Sequence, residues 1–297
     1  MNSVDLSILI VNWNTRSLLE RCLRSVYATV QSRTFEVIVI DNGSTDGSQA
    51  MVRTEFPEVR LIENSENLGF ARANNQGIRV SRGRYILLLN SDAFLTGSAA
   101  ETMADLLDRV PSIGIAGANL RFEDGSPQPS YGPLPTFRSE IQSLLGLDKN
   151  VQTAEANTDG YVEAGRVDGA CLMARREVFD QVGLLDENFF MYSEEVDFCY
   201  RAVNAGWKVA HVPGAEVTHT GGGSSGRTPG RFLMLYRGKL QYFAKHAGPQ
   251  AARRLRSAMQ TTALLKLVIY SLARKLSMGR IRKDELWRQV YEGLANL

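Results

Sequence analysis

The chain has 297 residues, 44% of them hydrophobic, an ordinary composition for a globular protein with a sizeable core. Cys22, Cys171 and Cys199 are scattered, odd in number and without metal-ligand spacing; they exclude a disulfide framework, fit a reducing compartment and read as buried small hydrophobes. The net charge of +2 hides an asymmetry: residues 227–297 carry 15 Lys+Arg against 3 Asp+Glu, a net +12, whereas residues 1–226 carry 19 against 29, a net −10.

Residues 6–11 (LSILIV) form a continuous apolar run, the mark of a strand covered on both faces. Thr15 and Ser17 stand where they can cap a helix whose apolar positions Leu18, Leu19, Cys22, Leu23 and Val26 recur at helical spacing. Residues 35–40 (FEVIVI) predict a second buried strand, ended by the turn signal Asp41-Asn42-Gly43. A shorter strand is expected at 59–62, the most apolar one at 85–89 (YILLL) and a fifth at 113–118, with helices at 46–55, 70–81 and 98–109. Residues 121–160, rich in Pro, Ser and Gly, predict a long loop region with one short helix near 137–146; loops of this length often serve as lids or binding segments. An apolar pattern resumes at 167–176, a helix is expected over 193–205 and ends at Gly206, and 207–212 is a short strand. The run 221–226 (GGGSSG) reads as a flexible hinge, with largely helical sequence from 228 to 297. The longest apolar stretch, 263–273, is interrupted by Lys266 and is too short to span a bilayer. Asp5 and a strand-like run stand where a secretory signal would have its charged and apolar regions.

Strands alternating with helices at this spacing predict an α/β fold with a mostly parallel sheet and right-handed crossovers. Ligands of such sheets bind outside the carboxyl ends of the strands. Three of those ends are polar here: Asn12-Trp13-Asn14, Asp41-Asn42 and Asn90-Ser91-Asp92. One polar strand end is an ordinary turn, but three at one edge make a site. No G-x-G-x-x-G follows the first strand and no phosphate-loop motif occurs, so dehydrogenase and P-loop readings lose support.

Asp92, just past a buried strand, can ligate a divalent cation that bridges diphosphate oxygens, or can cap the helix that follows. Glu194, Glu195 and Asp197 follow the aromatic run 189–192 (FFMY). On a helix, Glu194 and Asp197 share a face and Glu195 points elsewhere, so one carboxylate can face a site while another bonds to backbone or to Arg201. The helix dipole alone also favours acids there. His219, in Thr218-His219-Thr220, is either a structural imidazole or a second metal ligand, and Asp168-Gly169-Ala170 is either an ordinary turn or a close approach to a ligand.

Taken in order, these motifs resemble family 2 of the glycosyltransferases. The resemblance covers roughly residues 4–225 and rests on Val11-Asn12-Trp13-Asn14, the run 39–48 (VIDNGSTDGS), Asn67-Leu68-Gly69-Phe70 with Asn75 and Gly77, Asn90-Ser91-Asp92, Gly169-Ala170-Cys171, the segment 183–190, Glu194-Glu195-Val196-Asp197 and His219. Within the family the chain looks most like the bacterial rhamnosyltransferase branch.

The resemblance implies a GT-A fold over residues 1–226, with a nucleotide-sugar-binding half at 1–120, an acceptor-binding half at 121–226, and a basic helical region at 227–297. It implies that Asp41 accepts from the imide N–H of uracil or thymine, that Val11 and Trp13 line the base pocket, and that Arg72 lies near the nucleotide or diphosphate. Asn90, Ser91 and Asp92 occupy the D-x-D position, Asp92 and His219 would bind Mg²⁺ or Mn²⁺, and Gly169 and Ala170 would border the acceptor sugar. Glu195 falls at the catalytic base, with Glu194 and Asp197 as alternatives. Two departures stand out: Asn90 replaces the first acid of D-x-D, and Glu195 replaces an Asp.

The activity implied is metal-dependent inverting transfer of a hexose, best matched by L-rhamnose, from a dTDP- or UDP-sugar to a saccharide acceptor, lipid-linked ones included, in cell-envelope polysaccharide synthesis. Cytoplasmic action at the inner face of the plasma membrane follows. The basic tail has no nucleic-acid motif and is expected to meet an anionic membrane surface, with a solvated helical subdomain or a homodimer contact as the other readings. A sugar nucleotidyltransferase, whose Gly-rich basic N-terminal loop is missing here, and a non-catalytic sugar-nucleotide-binding scaffold are the rival functions.

Overall fold

A computed structural model describes residues 4–147, 155–221, 228–276 and 283–297. Strands and helices alternate through β1 (Leu6–Asn12), α1 (Arg16–Thr29), β2 (Phe35–Asp41), α2 (Ser48–Glu55), β3 (Arg60–Glu63), α3 (Phe70–Val80) and β4 (Tyr85–Asn90). Next come β5 (Ala93–Leu95), α4 (Ala99–Arg109), β6 (Ile113–Arg121), β7 (Tyr131–Gly132), α5 (Phe137–Leu144), β8 (Val162–Ala164) and β9 (Arg166–Val167). Then β10 (Cys171–Arg175), α6 (Arg176–Val182), α7 (Glu194–Asn204) and β11 (Lys208–His219) precede three helices, α8 (Pro229–His246), α9 (Pro249–Leu276) and α10 (Asp284–Leu294).

The chain divides into two compact units. The first holds residues 4–134, 155–190 and 194–221 of those described; the second holds 135–147, 191–193 and the helices from 228 onward. The segment 135–147, with α5, therefore belongs with the C-terminal helices rather than with the sheet.

The sheet of the first unit runs β3-β2-β1-β4-β10-β6-β11-β5, with β8 also paired to β11. β1, β2, β3 and β4 are parallel, β10 is inserted antiparallel between β4 and β6, and β6 and β11 are again parallel to each other. Register decides where the polar strand ends fall: Asn12 lies opposite Asp41, and Val11 lies opposite Asn90. Alternate residues of β4 serve different faces, as the two-residue period of a strand demands. Tyr85, Leu87 and Leu89 join the core formed with Leu19, Leu23, Met103 and Leu107, while Ile86 and Leu88 join the opposite core with Ile78, Phe179 and Phe198. Burial on both faces is why these strands read as unbroken apolar runs. All three cysteines are buried and free.

Three local expectations are corrected. Asp92 precedes a strand, β5, rather than a helix, and Ser98 is the residue before α4, so the capping reading of Asp92 falls. β11 does not stop at 212 but continues to His219; a register shift between Val212 and Glu216 carries Pro213 and Gly214 past the ladder, the kind of irregularity at which strands tolerate these residues. Thr15 stands at the N-cap of α1 but makes no cap hydrogen bond, because its hydroxyl is used elsewhere, and Ser17 is already inside the helix. Of the expected hinge, only Gly221 lies within the described residues.

In the second unit, Thr228 caps α8 by accepting from the Arg231 N–H, with Pro229 at the first helical position. Tyr242, Phe243, Leu255, Met259, Val290 and Leu294 are buried in it, and Lys239 donates to Glu140 at 2.6 Å. No helix among the described residues is long and apolar enough to cross a membrane.

Candidate active site

The carboxyl ends of β1, β2 and β4 are tied together by side chains rather than left open. Asp41 is fully buried and accepts from Asn12 Nδ2 at 2.8 Å, Gln49 Nε2 at 2.7 Å and the Ser44 N–H at 2.8 Å. An ionised carboxylate has about four lone-pair sites, so three are occupied and one remains. Asn12 in turn accepts from the Thr15 hydroxyl at 2.7 Å, and Thr15 shares a 2.9 Å hydrogen bond with Ser91. The chain Asp41–Asn12–Thr15–Ser91 thus fixes three strand ends against one another. Asn14, at φ 52°, holds the loop across from it: its side-chain oxygen accepts from the Thr45 N–H at 2.8 Å, and its own N–H donates to Ser44. Asn can occupy this left-handed region where bulkier residues rarely do. Trp13, between these polar residues, is 44% exposed, and Val11 is half-buried beneath.

Asp92 and His219 are 127 positions apart in sequence but adjacent in the fold. The antiparallel pairing of β5 with β11 sets His219 opposite Ala93, and the Thr220 N–H donates to the Asp92 carbonyl at 3.1 Å. His219 Nε2 then lies 3.3 Å from Asp92 Oδ1, while Thr220 Oγ1 donates to Asp92 Oδ2 at 2.9 Å. On its far side the imidazole meets Gln128 Oε1 at 3.1 Å through Nδ1. A carbonyl oxygen can only accept, so this contact favours the tautomer with its proton on Nδ1, and Nε2 is the ring nitrogen that faces the carboxylate. An imidazole nitrogen and a carboxylate oxygen turned toward each other in a nearly buried position are an arrangement that suits a cation, or a proton on Nε2. Among the described residues no group of three or more His, Cys, Asp or Glu gathers to hold a metal. A two-ligand site fits Mg²⁺ or Mn²⁺ binding in the usual manner of phosphate-handling sites, with one or two protein ligands and the remaining positions left to substrate phosphate and water.

The acidic cluster lies at the start of β10. The Asn90 N–H donates to the Ala170 carbonyl at 2.9 Å, so the Asp168-Gly169-Ala170 turn adjoins the end of β4. Gly169 faces Glu195: a Cβ built on it would come 3.4 Å from Glu195 Cβ. Burial, and next the charge of Asp168, push the half-buried Glu195 up to about 7. Burial, and next the neighbouring Glu195, push Glu194 well above the usual carboxylate range; its Oε2 is buried and finds no hydrogen-bond partner. Two carboxyls in one poorly solvated place cannot both ionise cheaply, so the charge of Glu195 adds to the effect of burial on Glu194. The two residues before α7, Tyr192 and Ser193, both have positive φ, 71° and 76°. Consecutive non-glycine residues in this region mark stored backbone strain.

Asp197 is not brought into this cluster. It is fully buried and accepts from Arg201 Nε at 2.8 Å, and the same guanidinium caps the carbonyls of Val182, Gly183 and Leu184. Arg72, half-exposed on α3, pairs with Glu187 at 3.2 Å. Sequence reasoning did not single out Gln128, Thr15 or Gln49 as site residues. Nothing in a polar loop marks Gln128; Thr15 could have been found, as Asn12 was, from its position past a buried strand.

A family model described as Glycosyl transferase family 2 matches residues 7–183. N-acetylglucosaminyl-diphospho-decaprenol L-rhamnosyltransferase of Mycobacterium tuberculosis is 31% identical over 263 residues, covering 82% of this chain and 85% of the relative. A low-salt glycan biosynthesis hexosyltransferase of Haloferax volcanii is 30% identical, covering 67% of this chain and 61% of its own length. Among solved structures, a mannosyltransferase from Pyrobaculum calidifontis in complex with GDP-Man and Mn²⁺ superposes with a TM-score of 0.59 at 17% identity, covering 99% of this chain and 86% of that one. GalNAc-T7 with UDP, GalNAc and Mn²⁺ gives 0.57 at 17% identity, covering 84% and 52%. At these identities the two structures speak for the fold alone, a GT-A fold.

Proposed function

The chain belongs to glycosyltransferase family 2, in its rhamnosyltransferase-like branch, and on that premise we propose that it is an inverting, divalent-cation-dependent transferase with Glu195 as its base. The observation that carries the reading is the join between β4 and β10: the Asn90–Ala170 hydrogen bond sets the Asn90-Ser91-Asp92 end of one strand beside the turn that faces Glu195. On this reading the Asp92–His219 pair and Glu195, whose carboxyl is held up to about 7, serve one site.

Inverting transfer needs a base on the acceptor side and stabilisation of the leaving group on the other. Glu195 takes the proton of the acceptor hydroxyl as that oxygen attacks the anomeric carbon. The bond from that carbon to the nucleoside diphosphate breaks with its electron pair. General-base catalysis of this kind contributes about 10²–10⁴-fold, and most when the base titrates near the working pH. Burial and the neighbouring Glu195 favour the neutral form of Glu194, which limits the negative charge next to the base. Asp92 and His219 would hold the cation, oriented by Gln128 and Thr220. A cation bound there supplies positive charge to the departing diphosphate. Asp41 keeps one acceptor site for the imide N–H of a pyrimidine, and Trp13 offers an exposed ring at the same strand edge.

The donor we favour is a dTDP- or UDP-sugar, dTDP-L-rhamnose foremost, because the Mycobacterium relative is named for L-rhamnosyl transfer. The name of that relative also supports a saccharide on a lipid diphosphate as acceptor; we assign the transfer to cell-envelope polysaccharide synthesis, at the inner face of the plasma membrane. Mn²⁺ in the solved structures of similar fold supports the cation. The test is release of nucleoside diphosphate from these donors: it should require Mg²⁺ or Mn²⁺ and disappear in Glu195→Gln. Pyrophosphate release from a nucleoside triphosphate and a sugar phosphate, or full turnover by Glu195→Gln, would overturn the assignment.

A further inference from the structure

α9 is amphipathic twice over. Its buried stripe, Leu255, Met259 and Ala263, recurs every four residues, as expected for the face turned into its own unit. The opposite face of the C-terminal half is apolar as well. Leu264, Leu265, Val268, Ile269, Leu272 and Leu276 are between 42% and 87% exposed. At about 100° per residue all six fall on one side of the helix. A contiguous apolar stripe of this kind on a surface marks an interaction site rather than the scattered exposure of ordinary surfaces.

The charge around the stripe identifies what covers it. At the same helical spacing Lys275 lies within the exposed face, and Arg253 and Arg254 lie on that face toward the other end of the helix; all three are exposed. No Asp or Glu occurs anywhere from 227 to 283. A second copy of this face would bring cation against cation, whereas an anionic surface would neutralise both ends while taking up the leucines between them.

We propose that the exposed face of α9 lies on an anionic lipid bilayer, with Leu265, Val268, Ile269, Leu272 and Leu276 entering the acyl boundary and Arg254 and Lys275 meeting lipid phosphates. The inference stands on the helix alone and does not depend on the transferase reading. It predicts a peripheral attachment driven jointly by apolar burial and by charge, and hence weakened by salt.

The experiment is co-sedimentation of the full chain, without donor or acceptor, with vesicles of phosphatidylcholine alone and of phosphatidylcholine with phosphatidylglycerol at low and high salt. The wild type should bind the mixed vesicles, bind the neutral ones at least about tenfold more weakly, and lose affinity as salt rises. Ile269→Glu/Leu272→Glu should retain the circular dichroism and melting temperature of the wild type, since both side chains are already more than half exposed. Its binding to the mixed vesicles should fall at least about tenfold. Equal sedimentation of the double variant and the wild type overturns the proposal. So does a wild type that ignores anionic vesicles, whether or not light scattering finds it to be a dimer that the variant dissociates. Donor hydrolysis measured on the same samples without vesicles reports on the transferase separately.

Discussion

Replacing Glu195 by Gln should abolish turnover and at the same time make the protein more stable at alkaline pH. A carboxyl held at about 7 in the fold, against 4.5 when free, binds its proton more tightly folded than unfolded. The sign follows from linkage. Below pH 4.5 both states are protonated and the group contributes nothing. Between 4.5 and 7 the unfolded chain loses its proton first, so stability falls as pH rises; above 7 the cost is constant, at most about 3 kcal/mol. Gln keeps the shape and polarity of the protonated acid and never pays this cost. Melting curves of wild type and Glu195→Gln, recorded from pH 4 to 9 without divalent cation, should coincide near pH 4.5. They should diverge to roughly 6 °C in favour of the variant above pH 7, scaling from about 2 °C per kcal/mol for a domain of this size. The wild-type kcat/KM should rise over the same interval with an acid limb near 7. A melting difference that does not vary with pH, or a variant less stable at pH 8, would refute the claim that burial and Asp168 tune this carboxyl.

Arg201→Met should cost about 3–5 kcal/mol in urea unfolding, because it leaves Asp197 buried without its guanidinium, yet the acid limb of the pH–rate profile should stay near 7. A limb that moves with Arg201 would return Asp197 to the candidates for the base. Gln128→Leu should weaken Mn²⁺ binding, followed by electron paramagnetic resonance, by about tenfold while leaving the fold intact, since it frees the Nδ1 side of His219; unchanged affinity would remove Gln128 from any role in orienting that imidazole. Gly117→Ala should lower stability by about 1–3 kcal/mol in the same urea assay, because a methyl there overlaps Val167 in a filled core.

How far the sequence speaks for itself depends on the range of the interaction. β1, β2 and β4 were legible because burial on both faces writes an unbroken apolar run, and their polar ends were legible because the run stops abruptly at Asn12, Asp41 and Asn90. β5 was not, since three residues after a turn carry no period. That omission hid the contact on which the metal pair depends: Asp92 meets His219 only because β5 pairs with β11, whose continuation past Pro213 and Gly214 is itself invisible to a rule that ends strands at such residues. The acids of α7 were visible as a cluster, but their separation into a tuned pair and a structural partner of Arg201 required knowing which face each side chain takes. That Asp41 is already held by three donors is likewise a property of packing around Asn12, Ser44 and Gln49, not of spacing.

The most direct measurement of the central claim is time-resolved proton NMR of the sugar first released when wild type turns over a sugar nucleotide with Mn²⁺, run beside Glu195→Gln. The account predicts an initial product of anomeric configuration opposite to the donor's, and none from the variant. An initial product with the donor's own configuration, or equal release by Glu195→Gln, would contradict it.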